Sequence, residues 1–389
     1  MSYIHVDTYQ AQRSKRPGEP CGDVIACHRD ESSTTLVLSD GIGSGSRANL
    51  YAELCTSRLL GLISSGCSIH RAFRIMVDAM NESWGTSDPF AVFSIARILL
   101  NGETTVLSYE TPDPLLISPH AAFILDGKTS TAEKAVIRES HTRLNPGEGL
   151  LLFSDGVSQA GLGNGWNEGW GSLGAARFIA SGLAANKIAH EEITDAVLGR
   201  SLQIWGKKQG DDISVAQAHC RNGVIVDLLT GPPAYESLDE DLVKAFLTNR
   251  SFKIVCGGST AKMTSRVTGR RISIKEEQIS HFMPIGYSID GIDLVTEGMV
   301  SLNQACNILD EDMSEVTEDS PVYELCRLLN LADRVNIYCG SAQNKGERHL
   351  MFRQQGLLPR KDILRVLVLK LREKGKLVVM KNEYLEEIL

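Results

Sequence analysis

No apolar run in this sequence approaches the roughly 20 residues that a membrane-spanning helix requires. The segment 1–16 is polar and lacks the apolar core of a secretory signal peptide. The nine cysteines are scattered and never spaced as Cys-x-x-Cys, so neither a disulfide framework nor a structural zinc site is expected. We therefore expect a cytoplasmic protein with reduced thiols and no membrane partner.

The sequence also lacks a surplus of basic residues. It has 40 lysines and arginines against 48 aspartates and glutamates, which gives a formal net charge of −8. A nucleic-acid partner held through phosphate contacts needs a dense basic face, so this class of function is disfavoured. The length of 389 residues exceeds what one compact core usually accommodates, and two domains are expected.

The order of the predicted elements indicates an α+β domain followed by a smaller α/β domain. Strand-like segments crowd the middle of residues 1–229, and helical segments occur in pairs before and after them. Two Asn-Gly pairs, at 101–102 and 222–223, predict hairpin turns. The second pair would join the strands 212–219 and 224–228 and close the first domain.

A change in the order of predicted strands and helices marks the predicted domain boundary. The segment 230–235, which begins Thr-Gly-Pro-Pro-Ala, is the expected linker between residues 1–229 and 236–389. Beyond it, strands alternate with helices, which indicates a mostly parallel sheet. The Gly-Gly-Ser-Thr turn at 257–260 would be either a capped helix start or an anion site. A regulatory domain that binds a small ligand or docks a partner is the resulting hypothesis.

Four aspartates, each beside a glycine or a second acid, carry the chemical signal. They are Asp23, Asp40, Asp155 and Asp211. Asp40 and Asp155 both follow an apolar strand within a Ser-Asp-Gly segment. Each segment alone is typical of a turn, but several carboxylates that meet at one point repel each other unless a cation lies between them. Hard divalent ions such as Mg²⁺ or Mn²⁺ prefer such oxygen ligands.

The ordered set of motifs resembles the stage II sporulation protein E-type branch of the metal-dependent protein phosphatases, relatives of protein phosphatase 2C. The motifs are Gly22-Asp23, Leu38-Ser-Asp-Gly-Ile-Gly-Ser-Gly-Ser46, Leu152-Phe-Ser-Asp-Gly-Val157 and Gly210-Asp-Asp-Ile-Ser-Val215. The resemblance covers about residues 1–225. It implies an αββα sandwich, two divalent ions (Mn²⁺ or Mg²⁺), and hydrolysis of phosphoserine or phosphothreonine on a partner protein in a bacterial switch.

The resemblance also implies roles for single residues. Asp40 would bridge two metal ions, and the Gly41 carbonyl would ligate one of them. Asp23 would act through metal-bound water, Asp155 would bind the second ion, and Asp211 would help to bind it. Asp40 and Asp155 are therefore the expected catalytic residues. Asp212 would orient its neighbours from outside the ligand set.

The remaining polar side chains near these motifs have less definite roles. Ser44 and Ser46 are expected to start a helix and not to act as nucleophiles. Arg13, Lys15, Arg16 and Arg47 compete as phosphate contacts, and His28 could act as a general acid. The glycine-rich loop lacks the full dinucleotide-binding spacing. Two alternative functions stay open: a phosphoprotein-binding module without turnover, and a phosphatase for small phosphomonoesters.

Overall fold

A computed structural model describes residues 3–82, 90–132, 135–206, 210–274, 287–311, 320–342 and 356–381. The chain divides into two compact units, and the division falls between Asn222 and Gly223. Within these ranges, every helix is too short or too polar to cross a membrane. Gln209, which precedes the last acidic motif, lies outside the described residues.

The first unit contains two antiparallel sheets. The five-stranded sheet has the order β1-β11-β10-β6-β7, with β1 Ile4–Arg13, β6 Leu115–Ser118, β7 Ala121–Ile124, β10 Gly149–Phe153 and β11 Ile213–Asn222. The six-stranded sheet has the order β2-β3-β4-β5-β9-β8, with β2 Asp23–Arg29, β3 Ser33–Gly41, β4 Ala91–Leu99, β5 Glu103–Tyr109, β8 Lys128–Ala132 and β9 Ala135–Arg143. The predicted hairpin at 101–102 is confirmed, because β4 and β5 pair directly across it.

Two pairs of helices cover the outer faces of these sheets. Their bounds, with the short helix α3, are α1 Gly45–Ser64, α2 Ile69–Glu82, α3 Asp155–Ser158, α4 Gly171–Ala184 and α5 Ile193–Trp205. Apolar side chains of α1 and α2 pack on the six-stranded sheet, and those of α4 and α5 pack on the five-stranded sheet. A third apolar layer, which includes Leu38 and Leu152, fills the space between the sheets. The unit is therefore an α-β-β-α sandwich, as expected.

The second unit contains one mixed sheet of the order β14-β15-β16-β13-β12-β17-β18. Its strands are β12 Ile225–Thr230, β13 Phe252–Cys256, β14 Ile272–Ile274, β15 Tyr287–Ile289, β16 Leu294–Thr296, β17 Arg334–Cys339 and β18 Leu377–Met380. Its helices are α6 Asp239–Thr248, α7 Gly258–Thr268, α8 Gly298–Ile308, α9 Pro321–Leu331 and α10 Arg360–Glu373. The five strands β16, β13, β12, β17 and β18 pair in parallel, and apolar helices pack on both faces.

The predicted hairpin at 222–223 is wrong. The strand β12 pairs in parallel with β13 and β17, and so it is the middle strand of the second sheet instead of the last strand of the first unit. The Asn-Gly turn signal was outweighed by the fully apolar face that Val226 and Leu228 bury in the second core. The boundary expected at residue 229 therefore lies at residue 222.

The predicted linker 230–235 is also wrong, because these residues form the loop that leaves β12 inside the second unit. Gly340 N–H donates to the Thr230 carbonyl at 3.0 Å, and Ala342 N–H donates to the Pro232 carbonyl at 3.0 Å. Parallel sheets usually bind ligands where the strand order reverses, here between β12 and β17. The loops that follow β12 and β17 are hydrogen-bonded to each other at this point. They do not support the small-ligand hypothesis, which stays a prediction.

Candidate metal centre

The register of the six-stranded sheet places Asp23 and Asp40 side by side. Asp23 begins β2, Asp40 is the penultimate residue of β3, and the two are direct partners in the antiparallel ladder. Asp23 is almost fully buried, with 3% of its surface exposed, whereas Asp40 is partly buried. Two carboxylates that would otherwise stay in water are thus fixed at one end of the sheet.

The five-stranded sheet supplies the other two carboxylates. Asp155 begins α3, two residues after β10 ends, and Asp211 lies two residues before β11 begins. The strands β10 and β11 are antiparallel neighbours, so the end of one lies beside the start of the other. The structure therefore brings together all four of the aspartates that the sequence motifs single out.

These carboxylates raise one another's pKa. Burial, followed by the charges of Asp23, Asp155 and Asp211, raises the pKa of Asp40 strongly. Burial, followed by the charges of Asp211 and Asp23, raises the pKa of Asp155 to about 6. Burial also raises the pKa of Asp23 and of Asp211. Such mutual destabilisation of the charged forms is the electrostatic signature of a site that needs a cation.

Several oxygens at this site lack a hydrogen bond of normal geometry. Both carboxylate oxygens of Asp23 and the Oδ1 atom of Asp155 are buried without such a bond from the described residues, although the nearby hydroxyls of Ser214 and Ser154 lower the pKa of Asp23 in part. Buried carboxylate oxygens normally have partners, because an unpaired one forfeits its solvation. Hard divalent cations bind such oxygens, so the residues present fit Mg²⁺ or Mn²⁺.

The glycines beside the aspartates are required by close backbone approach. A Cβ atom on Gly41 would lie 1.9 Å from the Ala48 carbonyl oxygen in the first turn of α1. A Cβ atom on Gly156 would lie 2.0 Å from the carbonyl oxygen of Asp212. A side chain at Gly41 would push β3, which carries Asp40, away from α1, and a side chain at Gly156 would push α3, which carries Asp155, away from Asp212.

Asp212 fixes the loop that leads into Asp23. Its Oδ1 accepts a hydrogen bond from the Lys15 N–H at 2.5 Å, and its Oδ2 accepts one from the Gly22 N–H at 2.8 Å. These contacts fit the orienting role expected for Asp212. The Lys15 ammonium lies 4.0 Å from Oδ1 of Asp211. Among the predicted phosphate contacts, Lys15 therefore lies beside a site carboxylate.

Three further side chains support the site and were not expected. Gln159 donates from Nε2 to Asp155 Oδ2 at 2.7 Å, one helical turn away, and this i, i+4 spacing could have indicated it. Trp205 Nε1 donates to the Gly156 carbonyl at 2.8 Å across the sequence, which no local pattern reveals. The Cys21 thiol lies near Asp23, but burial raises its pKa to about 12, so it stays neutral.

Other predicted candidates lie elsewhere or play lesser roles. His28 pairs with Thr35 at the far end of β2 and contacts Ser64 at 3.4 Å, so the general-acid role near the site is wrong. Ser44 occupies the N-cap position of α1, as expected, but its side chain makes no capping hydrogen bond. Arg47 donates to the Tyr51 hydroxyl on its own helix at 3.1 Å.

The sandwich with its carboxylate cluster defines the first unit as a protein phosphatase 2C-like domain. Residues 30–221 match the family model of Stage II sporulation protein E (SpoIIE), so this part of the chain is a SpoIIE-type domain. The match ends one residue before the division between the two units. Comparison with proteins of curated function gave no match.

A solved phosphatase structure supports the same fold. The phosphatase domain of the cell fate determinant SpoIIE from Bacillus subtilis, with a fragment of its regulatory domain, is 19% identical with a TM-score of 0.50. The alignment covers 58% of this chain and 65% of the Bacillus chain, just under two thirds of that chain's length. The RsbU and RsbW domains of Rv1364c from Mycobacterium tuberculosis are 16% identical with a TM-score of 0.48, over 64% of this chain and 69% of theirs.

Proposed function

We propose that the chain is a metal-dependent protein phosphatase that hydrolyses phosphoserine or phosphothreonine on a partner protein in a bacterial regulatory switch. The observation that carries the proposal is the cluster of four carboxylates that raise one another's pKa, in which buried oxygens of Asp23 and Asp155 lack a hydrogen bond of normal geometry. A purely structural cluster would neutralise these oxygens with arginine, lysine or hydrogen-bond donors.

The proposed ligand set is Asp23, Asp40, the Gly41 carbonyl, Asp155 and Asp211, with two divalent cations, Mn²⁺ or Mg²⁺. When bound, the cations supply a water of lowered pKa and positive charge for the phosphoryl oxygens. Asp40 and Asp155 are the proposed catalytic residues, because they face the other carboxylates from the two different sheets. The ammonium of Lys15, beside Asp211, is placed to attract a phosphate.

The first experiment is Mn²⁺-dependent hydrolysis of a generic aryl phosphate by the full chain. Asp155→Ala should abolish the activity, and Asp78→Ala, an exposed aspartate on α2, should leave it unchanged. Activity without metal, or activity indifferent to Asp155, would contradict the assignment. If the chain binds Mn²⁺ through Asp155 but turns over neither aryl phosphate nor phosphopeptides, the phosphoprotein-binding module becomes the better interpretation.

A substrate panel separates the remaining alternative. Phosphoserine and phosphothreonine peptides should be hydrolysed with a higher kcat/KM than sugar phosphates and nucleoside monophosphates of similar charge. The reverse order would identify a phosphatase for small phosphomonoesters. Both outcomes leave the metal site in place, so they test the substrate class alone.

A further inference from the structure

A second group of metal-ligand side chains lies on the helix-covered face of the six-stranded sheet. Glu139 and His141 are two residues apart on β9, so both side chains project from the same face of the sheet. His70, the second residue of α2, approaches them from the helix layer. The Nε2 atoms of His70 and His141 lie 2.9 and 2.8 Å from the same oxygen, Oε1 of Glu139.

The geometry of this group suits one transition-metal ion. One ligand atom from each residue lies within 4.8 Å of the other two. Two ligands about 2.0–2.1 Å from a tetrahedral zinc ion lie about 3.3 Å apart. The observed nitrogen–oxygen separations of 2.9 and 2.8 Å are hydrogen-bond lengths, and the side chains need to open by only about 0.4–0.5 Å to hold an ion. Two imidazoles and one carboxylate form a donor set that zinc binds well, whereas Mg²⁺ and Ca²⁺ prefer oxygen ligands throughout.

A neighbouring hydroxyl orients one of these histidines. The Nδ1 atom of His141 lies 3.2 Å from Oγ1 of Thr105, its direct partner on β5. If Nδ1 carries the proton and donates it to this hydroxyl, the lone pair of Nε2 is free for an ion. Histidine ligands of metals usually have such a partner on the other ring nitrogen.

Space for a further ligand lies beside the group. A pocket of about 410 Å³ is lined by His141 and Thr105, by Arg97 of β4, and by Ser68 and Ile69 at the start of α2. Three protein ligands leave one position of a tetrahedral ion open, and a water molecule from this pocket could occupy it. The pocket also explains how an ion would reach a group that helix and sheet partly enclose.

The group is separate from the carboxylate cluster. His141, Thr105, Arg97 and Thr35 lie on one row across neighbouring strands. Asp40 follows Thr35 by five residues along β3, a distance of about 17 Å along the strand. The two groups therefore cannot share an ion.

We propose that His70, Glu139 and His141 bind one Zn²⁺ ion that joins the start of α2 to the strand β9. This site is of a different kind from the carboxylate cluster, because two of its three ligands are nitrogens. The ion adds a link at the exposed margin of the contact between helix and sheet, beside the buried apolar side chains that already join them.

The test uses the full chain, stripped of metal with a chelator and titrated with Co²⁺ in place of Zn²⁺. Four-coordinate Co²⁺ with nitrogen ligands absorbs strongly in the visible range, whereas Co²⁺ held by carboxylates and water in six-fold geometry absorbs weakly. We expect one equivalent of the strongly absorbing species, and its displacement by Zn²⁺. His70→Ala and His141→Ala should each abolish this absorption, and Thr105→Val should weaken Co²⁺ binding about 10–100-fold.

Two controls make the result specific. His120→Ala removes an exposed histidine in the turn between β6 and β7 and should leave the absorption unchanged. Asp155→Ala should also leave it unchanged, so failure of the phosphatase proposal and failure of this one are distinguishable. The proposal is overturned if the parent chain shows no strongly absorbing Co²⁺, or if both histidine variants, with unchanged melting temperatures, retain it.

Discussion

Removing one charge from the carboxylate cluster should stabilise the metal-free protein while it destroys the site. Asp155→Asn is the informative change, because asparagine keeps the shape of the side chain and can still accept the hydrogen bond from Gln159. The amide also removes the negative charge that burial and the neighbouring carboxylates disfavour. We therefore expect the variant to be more stable than the parent chain in the presence of a chelator.

The magnitude follows from the pKa. A rise from 3.8 in the unfolded chain to about 6 in the folded protein corresponds to about 3 kcal/mol at neutral pH, since each pKa unit is about 1.4 kcal/mol. For a unit of this size, each kcal/mol shifts the melting temperature by about 2–4 °C. The variant should thus melt up to about 6–12 °C above the parent chain.

The pH dependence has a definite sign. Because the pKa of Asp155 is higher in the folded than in the unfolded chain, its charge destabilises the fold fully above about pH 6. The penalty disappears as the pH falls from about 6 towards 3.8, where the unfolded chain is protonated too. The difference between variant and parent should therefore be largest at pH 7.5 and vanish near pH 4.

The assay is thermal unfolding of both proteins with chelator and again with Mn²⁺. A cation that binds only the folded state adds about 4.1 kcal/mol at about 1,000 times its dissociation constant. This gain exceeds the advantage of the variant, so Mn²⁺ at that excess should reverse the order of the two proteins. Asp78→Asn, which alters an exposed aspartate, should change stability by less than about 0.5 kcal/mol. A variant that melts no higher than the parent with chelator at pH 7.5 would refute the electrostatic reasoning.

Two further changes test other parts of the chain. Lys253→Met should cost the second unit about 3–5 kcal/mol in urea unfolding, because it leaves the fully buried Asp227 carboxylate without the ammonium 2.7 Å away. Replacing both members, Lys253→Met with Asp227→Leu, should recover much of this loss. Gly41→Ala should abolish Mn²⁺ binding and lower the melting temperature, because its Cβ would collide with the backbone of α1. Gly61→Ala, within α1 and with open space around it, should be neutral or stabilising by up to about 1 kcal/mol.

The first unit could be predicted from sequence to a large extent because its information is local. Each site aspartate lies within a short motif at a strand end, and the strand pairing then brings those ends together. The α+β class likewise follows from apolar periodicities that each segment carries by itself, whereas the α-β-β-α layering was expected from the family resemblance. What sequence could not provide were the contacts between distant segments, such as Trp205 with Gly156.

The failures have the same physical origin. His70 and His141 are far apart in the sequence, and only the packing of α2 on β9 brings their rings to within 6.2 Å. No local sequence pattern could therefore indicate that these two histidines lie together. At 222–223, the preference of Asn-Gly for a hairpin turn is small. It is outweighed by the burial of β12, because each large apolar side chain contributes about 1.5–3 kcal/mol to stability when it is buried.

The position of β12 determines where the chain can be cut. A fragment that ends at residue 229 would keep a strand that is apolar on both faces and has lost both of its partners, and such a strand invites aggregation. A fragment that begins at residue 236 would lack the strand to which both halves of its sheet attach. Cleavage after Asn222 gives each half its full set of strands, so this is the position at which the two units should be separated.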